Sequence, residues 1–198
     1  GDSRLEARIA AYEMAAKLQV SAPEVLDISA ETPATRALYG LDEKITEDFG
    51  RNCLIARRLV ERGVRFVQVW SGAGGPSNNW DNHGSIVNEL APMCLSTDKP
   101  IAALLTDLKQ RGLLDETIVL WGGEFGRTVF VQGDVTKQTG YGRDHLGSCY
   151  SMWVAGGGFP KGTTYGESDD FAYNVAKDPV HVHDMQATLM HQLGIDHT

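Results

Sequence analysis

A chain of 198 residues, 42% hydrophobic and 22% charged, is long enough to bury a sizeable core within one domain. Its formal charge of −8 excludes a general nucleic-acid partner, because phosphate neutralisation needs clustered Lys and Arg. No apolar run reaches the roughly 18 residues of a membrane span, and no signal peptide opens the chain.

Ser3-Arg-Leu-Glu6 has the form of a capping box and predicts a helix start, with Leu5, Ile9, Tyr12 and Ala16 recurring on one face to be buried. From Ser21 to Lys44, prolines and mixed short segments predict short helices and loop, so residues 1–46 read as a helical lead-in. A second helix is expected from about Glu47 to Arg62, burying Phe49, Cys53, Ala56 and Val60, with Gly63 as its stop. Val64-Arg-Phe-Val-Gln-Val-Trp70 is rich in β-branched and aromatic residues and predicts a strand. A Gly/Ser/Asn/Pro loop, 71–79, delivers the chain into Trp80-Asp81-Asn82-His83-Gly84.

Two helical stretches should follow, the better one from about Asp98 to Arg111, with Pro100 in its first turn and Gly112 after it. Thr117 to Trp121 is apolar almost throughout, as expected of a parallel strand covered by helices on both sides. Strand, helix and strand at this spacing read as a βαβ unit with a right-handed crossover, placing Asp81 and Glu124 beyond strand ends where ligands bind. A third strand is expected at Tyr150–Ala155, broken by Gly156–Gly158. Residues 162–177 read as a surface hairpin or flap, and Asp184 is placed to cap a last helix carrying Met185, Leu189 and Leu193.

Cys53, Cys94 and Cys149 are odd in number and lack CxxC spacing, which suggests neither a disulfide framework nor a thiolate zinc site. The chemistry gathers elsewhere, in three glycine-bounded loops: Trp80–Gly84, Gly122–Thr128 and Gly142–His145. Carboxylate oxygens and neutral imidazole nitrogens are what Zn²⁺, Mn²⁺ and similar ions accept. Asp81 and His83 lie two apart, so an extended backbone points both to one side, and His145 is the best third ligand. Asp81 read alone is also a helix cap. Asp144 is either a ligand or the partner that orients a histidine. Glu124 either serves a second ion or a ligand histidine, or pairs with Arg127 or Arg143. His181 and His183 fit a turn-plus-cap role better than a metal. Thr128, Ser148 and Cys149 lie near these motifs, yet none sits in a Gly-x-Ser-x-Gly setting.

Residues 63–70 (GVRFVQVW), 80–84 (WDNHG), 93–128, 142–145 (GRDH), 152–158 (MWVAGGG) and 178–197 resemble the domain-of-unknown-function 1501 family, which resembles sulfatases and the alkaline phosphatase-like superfamily. The resemblance covers most of the chain. It implies a mostly parallel α/β sheet with helices on both faces, of which this chain is the C-terminal portion. It further implies hydrolysis of a small anionic sulfate or phosphate ester with a divalent metal, Zn²⁺, Mn²⁺ or Ca²⁺, in an exported or periplasmic setting. Asp81 and His83 then resemble ligands of a first metal, completed by His145 of the GRDH segment. Gly-Glu124-Phe-Gly takes the place of a second-metal motif, in which Phe125 stands where a histidine is expected. Arg127 and Arg143 are the residues expected to hold the anion. The resemblance places the nucleophile on a strand earlier than this chain. A binding or scaffold protein with a single or degraded metal site is the alternative from another class.

Overall fold

The structure is a computed structural model and describes residues 3–72, 79–137 and 139–196. Its elements in order are helices α1 (Ser3–Leu26), α2 (Pro33–Leu38), α3 (Glu47–Glu61) and α4 (Ile86–Gln110), a 3-10 turn (Leu114–Glu116), and strands β1 (Val119–Trp121), β2 (Gly126–Arg127), β3 (Gln132–Gly133), β4 (Tyr141–Gly142), β5 (His145–Leu146), β6 (Trp153–Ala155), β7 (Glu167–Ser168) and β8 (Val175–Lys177). Helix α5 (Val182–Gln192) closes the series.

The helices stop where glycine allows it. After α2, α3, α4 and α5 stand Gly40, Gly63, Gly112 and Gly194, all at positive φ. At each, the glycine N–H and the next N–H turn back to carbonyls of the last turn: Gly63 N to Val60 O and Val64 N to Leu59 O after α3, for example. This paired arrangement satisfies carbonyls that a helix end would otherwise leave bare.

The core lies among α2, α3, α4 and the segment after α1, where Ile28, Tyr39, Leu41, Cys53, Leu54 and Ala103 are buried, with Val69 packed against them. Charge is buried beside it. Arg57, 2% exposed, contacts Glu31 at 2.8 Å, Glu61 at 2.8 Å and Asp107 at 2.9 Å, while Tyr39 donates its hydroxyl to Asp107 at 3.0 Å. A guanidinium inside a core is tolerated when several carboxylates surround it. Burial and the neighbouring Asp107 carboxylate both push the Tyr39 phenol upward from its ordinary value.

Among the described residues the expected parallel α/β sheet is absent. The strands there form four separate two-stranded ladders, β1–β6, β2–β5, β3–β4 and β7–β8, all antiparallel. Residues 64–70 form no strand: Arg65 stands at a bend, Val67 and Val69 are partly buried and Phe66 and Trp70 76% exposed, and no ladder forms on them among the described residues. The βαβ reading fails with it, since β1 pairs antiparallel with β6, through Val119↔Ala155, Leu120↔Val154 and Trp121↔Trp153, and with no other strand among the described residues. β-Branched and aromatic residues favour an extended backbone; they do not supply the neighbouring strand that makes a sheet.

Other expectations shift too. The face of α1 expected to be buried is open: Leu5, Ile9 and Tyr12 are 56%, 50% and 78% exposed. The two helical stretches expected here are one helix, α4, which begins at Ile86 and continues through Pro92 and Pro100. Proline already has a helical φ, so its cost is a missing hydrogen bond and local crowding; Pro100 is fully buried against the core side of the helix, where packing outweighs that cost. At α5 the cap is His181, and Asp184 serves as its reciprocal partner by accepting the His181 N–H at 3.1 Å. None of the described helices is long and apolar enough to cross a membrane.

Candidate metal centre

Loop 79–85 carries the first two residues of the site. Asn79 Oδ1 accepts the Asp81 N–H at 2.8 Å, and the Asp81 carbonyl accepts the His83 N–H at 2.9 Å, which folds the loop into a tight turn. The Trp80 indole donates to Ser71 Oγ at 3.1 Å and ties the loop to the chain that follows α3. Asn82 is buried, its amide donating to Glu89 on α4 and its carbonyl accepting the Arg143 N–H at 2.9 Å.

The third residue arrives on β5, paired with β2 through Arg127↔His145. Thr128 reinforces this pairing twice, its N–H donating to Asp144 O at 2.9 Å and its hydroxyl oxygen accepting the Asp144 N–H at 3.0 Å. Gly142, buried, lies against the backbone of Asn82 and His83, where a Cβ would collide with the Asn82 and His83 carbonyls. The two loops therefore meet backbone to backbone.

Three side chains converge there. His83 Nε2 is 2.9 Å from Asp81 Oδ1, His145 Nε2 is 3.0 Å from Asp81 Oδ1, and the two Nε2 atoms are 3.0 Å apart. Asp81, His83 and His145 form a group able to hold a metal ion. The donor set, two imidazoles and a carboxylate, fits a divalent transition ion. His83 is oriented from behind: its Nδ1 faces Gln132 Oε1 at 2.6 Å, and Asp144 Oδ1 stands 3.8 Å away on the same side. In the tautomer with the proton on Nδ1, Gln132 accepts it and Nε2 presents a lone pair to the site, the arrangement a metal-binding histidine requires. The His145 ring packs on Phe125, centroids 4.2 Å apart, so the phenyl ring at the position where the resemblance expects a histidine lies against His145 instead.

Asp81 Oδ1 also receives Arg127 Nη2 at 2.9 Å. The hydrogen bond from His145 and that from Arg127 together hold the Asp81 carboxyl down at about 2, so it is charged throughout the physiological range. Arg127 further donates to the carbonyls of Trp80 and Arg143, and Arg143 donates to those of Thr128 and Val129. Both guanidiniums thus tie loops together. Glu124 is exposed and borders a cavity of about 320 Å³ shared with Ser71, Phe125, Arg127 and His145; no ion pair joins it to Arg127 or Arg143 among the described residues. Asp144 lies behind His83, outside the converging trio. A second cavity, about 340 Å³, opens on the other side of Asp81 and His83 and is lined by Ser85, Glu89 and Thr139. Gln132, Ser71 and Ser85 were not singled out in the sequence; a lone Gln or Ser in a polar loop carries no pattern that marks it.

Fold and site together define a largely helical protein with an open two-histidine, one-carboxylate centre built on short antiparallel ladders. The family model for a protein of unknown function, DUF1501, matches residues 1–198, and the chain belongs to that family. No curated protein and no solved structure matches it significantly.

Proposed function

We propose that this protein binds a divalent metal ion through Asp81, His83 and His145 and acts on a small phosphate or sulfate ester, as the resemblance to sulfatases and the alkaline phosphatase-like superfamily implies. The observation that carries the reading is the convergence of the three ligand atoms at 2.9–3.0 Å from one another beside two cavities. A divalent ion held there supplies Lewis acidity toward an ester oxygen. The chain's own part is positional. Gln132 faces His83 Nδ1, Phe125 packs on the His145 ring, and Arg127 anchors the Asp81 carboxylate with a hydrogen bond. Ser71 and Ser85 place hydroxyls on the two cavity walls.

A second reading, a metal-holding protein without catalysis, is favoured by one observation. Thr128, the hydroxyl nearest the motifs in sequence, is 4% exposed, with its oxygen both accepting from Asp144 N and donating to Phe130 O, which leaves it no access to an ester. Elemental analysis of purified protein, followed by assay on aryl phosphate and aryl sulfate esters with Mn²⁺, Zn²⁺ or Ca²⁺, separates the readings. Stoichiometric metal with turnover lost in Asp81→Asn supports hydrolysis. Metal without turnover supports the second reading, and absence of site-dependent metal sinks both.

A further inference from the structure

Among the described residues, the buried apolar side chains end at Leu108. From there to the C-terminus none is buried, while Leu120, Trp121, Phe130, Tyr173 and Val175 stand exposed. The chain as a whole carries the consequence. Its accessible surface of 13771 Å² for 21.6 kDa is about half as much again as the roughly 9,200 Å² that a folded monomer of that mass exposes. A surplus on the order of 4,500 Å² is comparable with what obligate interfaces bury.

Part of that surplus lies on the open face of α1, but β1 is where it has a direction. Residues 117–121 are apolar almost throughout, the composition of a strand with neighbours on both sides, yet among the described residues β1 has β6 alone. Its other edge therefore presents unpaired N–H and C=O groups, and a ladder of two short strands is marginal in water. Trp121 stacks on Trp153 across that ladder, with ring centroids 6.0 Å apart, and adds an apolar face to the open edge.

Charge narrows the choice of occupant. The uncharged stretch 117–123 is bounded by Asp115 and Glu116 before it and by Glu124 after it, all three exposed. A second copy is a poor match. In the antiparallel register that pairs the whole stretch with itself, Glu116 of one copy faces Glu124 of the other, between chains that each carry a formal charge of −8. Like charges directly opposite destabilise a ladder, and opposite charges stabilise it.

We propose that the free edge of β1 accepts an extended apolar polypeptide segment with Lys or Arg at both ends, supplied from outside residues 1–198. Backbone hydrogen bonds give the pairing its affinity, as in other cases of strand addition to a sheet edge. The segment's apolar side chains cover Leu120 and Trp121, and its basic ends meet Glu116 and Glu124.

The test uses the intact chain and three labelled peptides that share an alternating Thr/Val/Ile centre. One ends in lysines, one ends in glutamates, and one ends in lysines but has proline at its middle, which removes a ladder hydrogen bond. Fluorescence anisotropy at low salt should show the first binding roughly tenfold tighter than the second, a difference that shrinks as salt is added. The proline peptide should not bind. Hydrogen exchange at 118–121 should slow in the complex, and Leu120→Lys, which places a charge on the edge, should abolish binding while the helical circular dichroism persists. Equal binding of the lysine and glutamate peptides, undiminished binding of the proline peptide, no binding at all, or protection remote from 117–123 overturns the proposal. Protection of 118–121 in a free chain that sediments as a dimer overturns it as well, because the edge then belongs to a second copy.

Discussion

His83 is held at both ring nitrogens, by Gln132 and Asp144 behind and by Asp81 and His145 in front, and this makes Gln132 the residue whose loss reports on orientation alone. In Gln132→Ala, Nδ1 loses its close acceptor and the neutral ring is free to place its proton on Nε2, where it blocks the metal. Partners of this kind typically contribute ten- to a hundredfold in metal affinity. Gln132→Ala is therefore expected to weaken Mn²⁺ or Co²⁺ binding by about that factor in calorimetric titration with little change in unfolding midpoint, because the side chain sits on an exposed two-residue strand. Gln132→Glu should keep most of the affinity. At this scale the sequence disclosed residue types and not their partners. Asp81, His83 and His145 stood out as an acid and imidazoles in glycine-bounded loops. Arg127 and Arg143 stood out equally, but that their guanidiniums face Asp81 and backbone carbonyls depends on contacts across 14 to 47 residues of chain, which no local pattern encodes.

Among the elements, the helix stops were legible and the sheet was not, for one physical reason. A helix end is decided within a few residues, by a glycine free to take positive φ, and Gly63, Gly112 and Gly194 could be read directly. A strand is decided by a partner far along the chain. The apolar run Thr117–Trp121 and the alternating run Val64–Trp70 both predicted extended backbone, yet the first became a three-residue antiparallel edge with Leu120 and Trp121 45% and 43% exposed, and the second gained no ladder among the described residues. The contact that matters most for the site is likewise non-local: β4 against loop 79–85. Gly142→Ala tests it. Its Cβ would strike the backbone of Asn82 and His83, neither of which can swing aside as a side chain tip would. The variant should lose most metal affinity while α3 and α4 retain their circular-dichroism signal. Retention of full affinity would mean that His83 and His145 do not depend on this contact for their approach.

On the scale of the whole molecule, the two kinds of structure should respond to different solution conditions. The helical part depends on buried ion pairs. Burial alone would raise the Glu31 carboxyl, but hydrogen bonds and charge from Arg58 and Arg57 outweigh it and hold the group below its ordinary 4.5. A carboxyl depressed in the folded state lends stability that is fully present above its unfolded value and lost as the pH falls through the folded one. Urea midpoints followed at the helical signal should accordingly be flat near neutrality and fall below about pH 4.5, and Glu31→Gln should flatten that fall while lowering the neutral plateau. The site depends on two- and three-residue ladders whose backbone hydrogen bonds lie near solvent, and segments of that kind open locally at little cost. Amide exchange in metal-free protein should then be slow in α3 and α4 and fast across loop 79–85 and residues 126–146. A ligand that binds only the closed form stabilises it by RT ln(1 + [L]/Kd), about 2.7 kcal/mol at a hundredfold excess over Kd. That corresponds to a slowing of roughly a hundredfold, and it should fall on the segments that carry the ligands, 79–85, 126–128 and 141–146, because these must be closed together for Asp81, His83 and His145 to meet. The α3 and α4 amides, on helices that carry the buried core, should change far less. Uniform slowing along the chain would instead show that the site and the helices unfold as one cooperative unit, and no slowing at 141–146 would remove His145 from the centre.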